Sequence, residues 1–184
     1  MTDAELREEL SRSPTLALDT TVVHGKGLLG LADKINRMNH KHDTETHLVI
    51  GALVYTERQA QERRERGADF DERIVRDLLT SKLVKVAWFT RKDAERASAW
   101  LARIAPDDDA WQVLKWQRLA AELGLPRDKR HRVSATVDWF IAAHADSRGW
   151  LLVTADRGPE FTCLPRRVGK AQLHRVLDAV LAAD

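Results

Sequence analysis

The stretch GWLLVTADRGPEF, residues 149–161, contains an apolar, β-prone run from Trp150 to Thr154, and Asp156 follows two residues later. A short apolar run of this kind predicts a buried strand. A carboxylate next to a buried strand is costly unless it meets a partner. The stretch therefore raises two questions: which sheet the strand belongs to, and what Asp156 meets at its end.

Apolar runs and helical patterns alternate along the rest of the chain. Strands are predicted at 15–23, 48–55, 83–89 and 150–155. Helices are predicted at 2–11, 28–39, 56–67, 69–81, 90–104, 107–124, 134–149 and 170–183. Thr2 with Glu5, and Thr90 with Asp93, have the spacing of helix N-terminal caps. Because the strands are continuous apolar runs between helices, they predict a mainly parallel sheet covered on both faces, an α/β/α sandwich.

Length and composition indicate one globular domain over residues 1–184, with an N-terminal helical extension at 1–13 and a closing helix at 170–183. No apolar run approaches the roughly 20 residues that span a bilayer, and the acidic N-terminus is no signal peptide, so we expect a cytoplasmic protein. The net charge of +2 is too close to zero to argue for nucleic acid. The one cysteine excludes an internal disulfide and a cysteine-based metal site.

Four acidic residues are expected near the carboxyl ends of the strands, where open parallel sheets bind their ligands. They are Asp19, Glu57, Asp138 and Asp156. Each has an ordinary structural alternative, such as a capped turn for Asp19 or a solvated helical turn for Glu57. Four converging carboxylates would repel one another unless a cation neutralised them. Hard oxygen ligands without a Cys or His set suggest Mg²⁺ or Mn²⁺.

Three segments resemble successive motifs of the PIN-domain nucleases: LALDTTVV (16–23), LVIGALVYTERQ (48–59) and SATVDWFIAAHADSRGWLLVTADRGPEF (134–161). The resemblance implies a Rossmann-like α/β/α sandwich and Mg²⁺-dependent endonuclease activity, usually on RNA. Many compact members are VapC-type toxins paired with an antitoxin. By this resemblance, the acidic quartet is Asp19, Glu57, Asp138 and Asp156, and Thr20 and Thr154 are supporting hydroxyl residues.

The mechanism expected of such a site is metal-assisted hydrolysis of RNA. Asp19, Asp138 and Asp156 would hold one or two metal ions. Glu57 would complete the ligand shell or act as a base toward water. Besides RNA, we expect a protein antitoxin as a possible partner, a possible homodimer and no membrane.

A competing motif is GKGLLG, residues 25–30, which matches the G-x-G-x-x-G pattern of dinucleotide-binding proteins. An acid that binds the ribose is expected about 20 residues after this motif. Glu57 lies 27 residues after Gly30, and a dinucleotide site would explain neither Asp138 nor Asp156. The alternative is a flexible loop over the site, with Lys26 facing phosphate. A third possibility is a non-catalytic PIN-fold module that binds RNA or a partner.

The segment PRDKRHR, residues 126–132, directly precedes the predicted helix of Asp138 and is the strongest basic cluster. A solvated loop is its ordinary interpretation, but such a patch would also attract an RNA backbone. We therefore predict RNA contacts from Arg127, Lys129, Arg130 and Arg132. Trp111 and Trp116 of the predicted helix 107–124 are interpreted as core, with a partner surface as the alternative.

Overall fold

The computed structural model describes residues 1–23, 25–67, 84–107, 109–110, 135–157 and 159–183. In chain order the elements are α1 (Asp3–Ser11), β1 (Thr15–Leu18), α2 (Gly25–His42), β2 (His47–Gly51), α3 (Ala52–Arg66), β3 (Val84–Ala87), α4 (Arg91–Ile104), α5 (Ala135–Ser147), β4 (Leu151–Thr154), α6 (Pro159–Thr162), β5 (Arg167–Gly169) and α7 (Lys170–Ala182). None of the helices in these ranges has the length and apolar character needed to cross a membrane.

The described strands form one parallel sheet in the order β3-β2-β1-β4-β5. From β1 the chain moves outward to β2 and β3, then returns to β4 on the other side of β1 and continues to β5. Leu18 of β1 is therefore in register with Ile50 of β2 on one side and Val153 of β4 on the other. Because the chain leaves β1 and β4 in opposite directions, their carboxyl ends form the switch point at which such sheets bind ligands.

Both faces of the sheet are covered by helices. All four residues of β4 and the last three of β1 are buried, as expected for strands between two helical layers. Among the helices, α7 packs against α2 and α1, whereas α4 packs against α5. One hydrophobic cluster joins the strands to these helices. The prediction of an α/β fold with a covered parallel sheet is confirmed.

The N-terminal helix is fixed to the last helix. Thr2 and Glu5 form the predicted capping box, with Thr2 N donating to Glu5 Oε2 at 2.6 Å. The Asp3 carboxylate accepts from Arg175 Nη2 at 2.8 Å and from Gln172 Nε2 at 3.0 Å, both on α7. Leu6 of α1 is fully buried in the common core. This helix is thus packed as part of the described fold.

All four predicted strands end earlier than expected, and the difference is largest for β1 and β2. The first strand stops at Leu18 because the N–H groups of Val22 and Val23 turn back to the carbonyl of Asp19, at 2.9 and 3.3 Å. The second stops at Gly51, and residues 52–55 begin α3 instead of extending the strand. An apolar run does not distinguish a buried strand from the first turn of a buried helix.

Three other parts of the prediction differ from the structure or lie outside it. The helix α2 is longer than the predicted 28–39, so GKGLLG lies within a helix and not in a flexible loop. The strand β5 was not predicted, because it has only three residues. The predicted helix 69–81, nearly all of the predicted helix 107–124 and the basic segment 126–132 fall outside the described residues.

Candidate active site

Asp19 occupies the centre of the carboxyl edge, directly after β1, and is only 2% exposed. Its Oδ2 atom accepts from the hydroxyls of Thr154 at 2.8 Å and Thr21 at 2.6 Å, and from the Thr21 N–H at 3.4 Å. All three donors are neutral. In the described part of the chain no Lys, Arg or His side chain pairs with this carboxylate, and no hydrogen bond reaches its Oδ1. Asp19 is therefore a buried carboxylate to which the described residues supply no counter-charge.

Thr154, the last residue of β4, connects Asp19 to Asp156. Its buried hydroxyl donates to Asp19 and accepts from the N–H of Asp156 at 2.9 Å. Asp156 is partly exposed, and its Oδ1 accepts from the Arg157 N–H at 2.6 Å. The pairing of β1 with β4 thus brings the first and last predicted acids to the same edge, as the sequence predicted.

Glu57 belongs to α3 and is linked to the residue beside Asp19. The Thr20 hydroxyl donates to Glu57 Oε2 at 2.5 Å. The Glu57 side chain is exposed. It extends from the helix that follows β2 toward the turn after β1. Thr20, predicted as a supporting hydroxyl, therefore orients one of the four acids.

Asp138 lies in the first turn of α5 and is 7% exposed. A carboxylate in this position interacts favourably with the positive end of the helix dipole. The helix α5 packs against α3, which carries Glu57, and against β4, which precedes Asp156; it also packs against α4 and α6. Asp138 is thus buried, like Asp19 and unlike Glu57.

Hydroxyl groups connect three of these acids to the residues that follow β1, and the described residues do not form one compact acidic cluster. Within the described residues, no group of three or more Asp, Glu, His or Cys side chains is arranged to hold a metal ion. Asp19 is joined to Asp156 through Thr154, and Glu57 is joined to the neighbouring Thr20. The assignment of all four acids to one metal site stays a prediction.

One residue of the site was missed by the sequence analysis. Thr21 donates its hydroxyl to Asp19 and accepts from the N–H of Ala155 at 3.1 Å, so it ties the two strand ends together. The adjacent hydroxyls of the DTT sequence at 19–21 were the available signal. The predicted RNA contacts Arg127, Lys129, Arg130 and Arg132 lie outside the described residues, as does the side chain of Lys26.

A second buried carboxylate, Asp93, lies at the start of α4 and is fully buried. Its Oδ2 accepts from the N–H and hydroxyl of Thr90, both at 2.7 Å, which confirms the predicted cap. Its Oδ1 accepts from the Ser147 hydroxyl, and Arg148 donates to both oxygens at 3.1 Å. Burial alone would raise the pKa of Asp93, but the hydrogen bonds from Arg148, Ser147 and Thr90 outweigh it and hold that pKa well below its usual range.

His144 packs beside this group and is 4% exposed. Its ring lies edge-on to Phe89, with centroids 5.6 Å apart, and its Nε2 is 3.7 Å from Asp93 Oδ2. Burial lowers the pKa of His144, although the charge of Asp93 opposes this. A Cβ atom at Gly51 would lie 3.1 Å from His144 Nδ1, so the absence of a side chain lets the start of α3 approach α5.

No family model and no curated protein matches the chain. Several solved structures resemble it, among them the following two. The crystal structure of VapBC2 from Rickettsia felis bound to a DNA fragment from their promoter has 15% sequence identity and a TM-score of 0.49, covering 84% of this chain and 96% of that chain. The crystal structure of DNA-bound VapBC from Salmonella typhimurium has 18% identity and a TM-score of 0.44, covering 85% and 98%. At these values neither likeness assigns an activity or a partner to this chain.

Proposed function

We propose that this chain is a Mg²⁺-dependent endoribonuclease whose active site is the carboxyl edge around Asp19. The observation that carries the proposal is the environment of the Asp19 carboxylate, which is 2% exposed and hydrogen-bonded only to neutral groups among the described residues. A buried carboxylate is costly without a compensating positive charge. A divalent cation supplies that charge where the chain does not.

The donor chemistry at this edge fits Mg²⁺. This ion is usually bound through one or two carboxylates and keeps several water ligands, so it does not require three acids in one compact group. Asp19 would hold it, with Asp156 as the second carboxylate, and Mn²⁺ accepts the same ligands. When bound, the ion supplies Lewis-acid chemistry: it makes water a stronger acid and neutralises charge that develops on the phosphate.

The side chains of the chain itself would position the substrate and move a proton. Thr154 and Thr21 hold Asp19 in one orientation, and Thr20 holds Glu57 beside it. Because Glu57 is exposed, its carboxylate is accessible to a water molecule and could accept a proton from it. Asp138, in the first turn of α5, would complete the acidic site, as the resemblance to PIN-domain nucleases implies.

The sequence resemblance to PIN-domain nucleases supports RNA as the substrate and a toxin as the biological role. A toxin of this kind is expected to arrest growth when it is expressed without its antitoxin, and the Asp19→Asn variant is expected to relieve the arrest. A small antitoxin-like gene directly upstream would support the pairing. Equal growth inhibition by wild type and by Asp19→Asn would contradict a toxic nuclease activity.

The alternative is a non-catalytic module of the same fold that binds RNA or a partner. The absence of a three-carboxylate group within the described residues is the observation in its favour. Dinucleotide binding through GKGLLG is disfavoured, because residues 19–24 separate β1 from α2 and the three glycines lie inside that helix. In the dinucleotide fingerprint the first glycine forms the tight turn directly after the strand.

Cleavage of a labelled RNA with and without Mg²⁺ tests the proposal. Asp19→Asn is expected to lower the rate by more than about 100-fold, since losing even a group that only orients a metal ligand costs about 10–100-fold. The matched control is Asp33→Asn, which changes an acid that is 66% exposed on α2 and should cleave like wild type. Binding without Mg²⁺-dependent cleavage by wild type would favour the non-catalytic module.

A further inference from the structure

A groove of about 650 Å³ opens beside the candidate active site, between the ends of β4 and β5 and the start of α7. One wall contains Thr154 and Asp156, and the other contains Arg167, Gly169 and Lys170. The two walls are neighbours because Thr154 is in register with Gly169 across the β4–β5 pair. The groove is therefore continuous with the edge that carries Asp19 and Asp156.

Three basic residues line this groove: Arg157, Arg167 and Lys170. In the part of the chain that the structure describes, none of the three takes part in an ion pair. Nearby arginines differ in this respect, since Arg166 pairs with Glu9 and Arg175 pairs with Asp3. Three basic residues without an ion pair among the described residues thus line the groove against one carboxylate, Asp156, whereas the neighbouring Arg166 and Arg175 are neutralised.

The backbone adds potential of the same sign. The 13-residue helix α7 begins at the groove, and its N-cap, Gly169, provides no side-chain hydrogen bond to the first turn. The N–H groups of that turn and the helix dipole favour an anion near Lys170. An anion in this groove would lie next to Asp156 and within reach of arginine side chains, which match phosphate groups in geometry.

We propose that this groove binds the phosphate backbone of single-stranded RNA on one side of the bond that is cut, with Arg157, Arg167 and Lys170 as the phosphate contacts. The proposal rests on the proposed ribonuclease function and deepens it, because it names the path of the substrate strand. The three basic residues follow β4 in the sequence and are not part of the basic segment 126–132, which lies outside the described residues. The excess of basic side chains over the one carboxylate that lines the groove, Asp156, would attract a phosphate backbone.

The test is a salt titration of RNA binding in EDTA, read by fluorescence anisotropy with a labelled single-stranded RNA. The variant Arg157→Ala/Arg167→Ala/Lys170→Ala is expected to bind at least about tenfold more weakly near 0.1 M salt. Its slope of log K against log salt should fall by about 2, at about 0.7 per lost phosphate contact. The matched control is Arg166→Ala, which removes an adjacent arginine already paired with Glu9 and should keep the wild-type slope.

Two further variants keep the result interpretable. Arg157→Lys/Arg167→Lys preserves the charges and should keep most of the slope. If circular dichroism shows that the triple variant is unfolded, the exposed single change Arg157→Ala replaces it, with an expected slope change of about 0.7. In cleavage assays with Mg²⁺, loss of the contacts should raise KM more than it lowers kcat.

The outcomes separate this proposal from the function on which it rests. A folded triple variant that binds with the wild-type affinity and slope overturns the groove. An equal loss in Arg166→Ala also overturns it, because binding would then follow general surface charge. In either case, the ribonuclease proposal still holds if wild type cleaves RNA and Asp19→Asn does not. Wild type that neither binds nor cleaves RNA overturns both.

Discussion

Asp19 and Asp93 are both buried carboxylates, 2% and 0% exposed, yet their surroundings differ. Asp93 receives the guanidinium of Arg148 on both oxygens, together with hydroxyl donors from Thr90 and Ser147. Asp19 receives only the hydroxyls of two threonines and one backbone N–H, all on Oδ2. One carboxylate is neutralised within the chain, and the other keeps its charge uncompensated among the described residues.

The difference separates a structural carboxylate from one that can take a ligand. The Arg148 guanidinium adds ion-pair attraction to the hydrogen bonds of Asp93, and these contacts join the start of α4 to the end of α5. Neutral donors orient Asp19 without cancelling its charge, so an incoming cation still gains the full interaction. Burial alone would not have distinguished these two acids, whereas the charge of their partners does.

The largest difference in stability is expected between Asp93→Asn and Asp19→Asn in metal-free buffer. Asp93→Asn should lower the free energy of unfolding by about 2–3 kcal/mol, below the range for breaking a fully buried ion pair because Arg148 is partly exposed. Asp19→Asn should cost less than about 1 kcal/mol, because the amide oxygen still accepts from the threonines and a buried charge is removed. Urea denaturation in EDTA measures both. Equal losses of stability at the two positions would contradict the distinction between a neutralised Asp93 and an uncompensated Asp19.

The stabilisation by added metal should depend on Asp19 and not on Asp93. Mg²⁺ at 100 times its Kd is expected to stabilise wild type by about 2.7 kcal/mol. Asp93→Asn should keep most of this gain, whereas Asp19→Asn should lose it and Asp156→Asn should show less of it. Thermal melting with and without Mg²⁺ or Mn²⁺ gives the shifts. A full shift in Asp19→Asn would mean that the metal binds elsewhere.

A smaller effect should come from removing one hydroxyl at each carboxylate. Thr154→Val keeps the volume but leaves the Asp156 N–H without its acceptor and Asp19 without a donor, at a cost of about 1–2 kcal/mol. Thr90→Val should cost less than about 1 kcal/mol, because Asp93 keeps Arg148 and the Thr90 N–H. Urea denaturation of the two variants checks the order. A larger loss for Thr90→Val would contradict it.

The smallest effect should be a pH dependence that arises from His144. Because its pKa is lowered in the fold, the unfolded chain takes up a proton first, and stability is lost as the pH falls below about 6.5. The pKa of Asp93 is also lowered, so its protonation destabilises the fold in the same direction. This loss of stability begins only near the usual pKa of an Asp side chain, below about pH 4. In His144→Gln, the stability measured at pH 7.5 and 5.5 should differ less than in wild type.

The control for this pH dependence is His174→Gln. The pKa of His174 is also lowered, by burial and by the charges of Lys34 and Lys170. That variant should therefore remove its own share of the pH dependence and leave the share of His144. Identical pH profiles for wild type and His144→Gln would show that protonation of this ring is not linked to folding.

The parallel sheet and the approach of Asp19 to Asp156 were predictable because their signals are local. A continuous apolar run followed by a polar residue identifies a strand end, and parallel strands bring such ends together, as Asp19 and Asp156 illustrate. The Asp93 group was not predictable beyond its cap, because Arg148 lies 55 residues further along the chain. Only the packing of α4 on α5 brings the two together.

The start of α3 and the short strand β5 were not predicted, again because they depend on packing between elements. Residues 52–55 are apolar in a strand or a helix alike, and the preference for α3 comes from its packing on α5, where Gly51 admits His144. The three residues of β5 form a strand only because β4 is beside them. The groove depends on that pairing, so no sequence pattern could have indicated it.

The hydrogen bond from Thr154 to Asp19 joins residues 135 positions apart in the chain. Contacts of such long range form late, because the cost of closing the loop comes before the contact is gained. During synthesis, β1, β2 and β3 emerge well before β4, which must then insert beside β1. A nascent chain therefore carries an incomplete Asp19 edge until most of its length has been made, and completion of this edge coincides with completion of the fold.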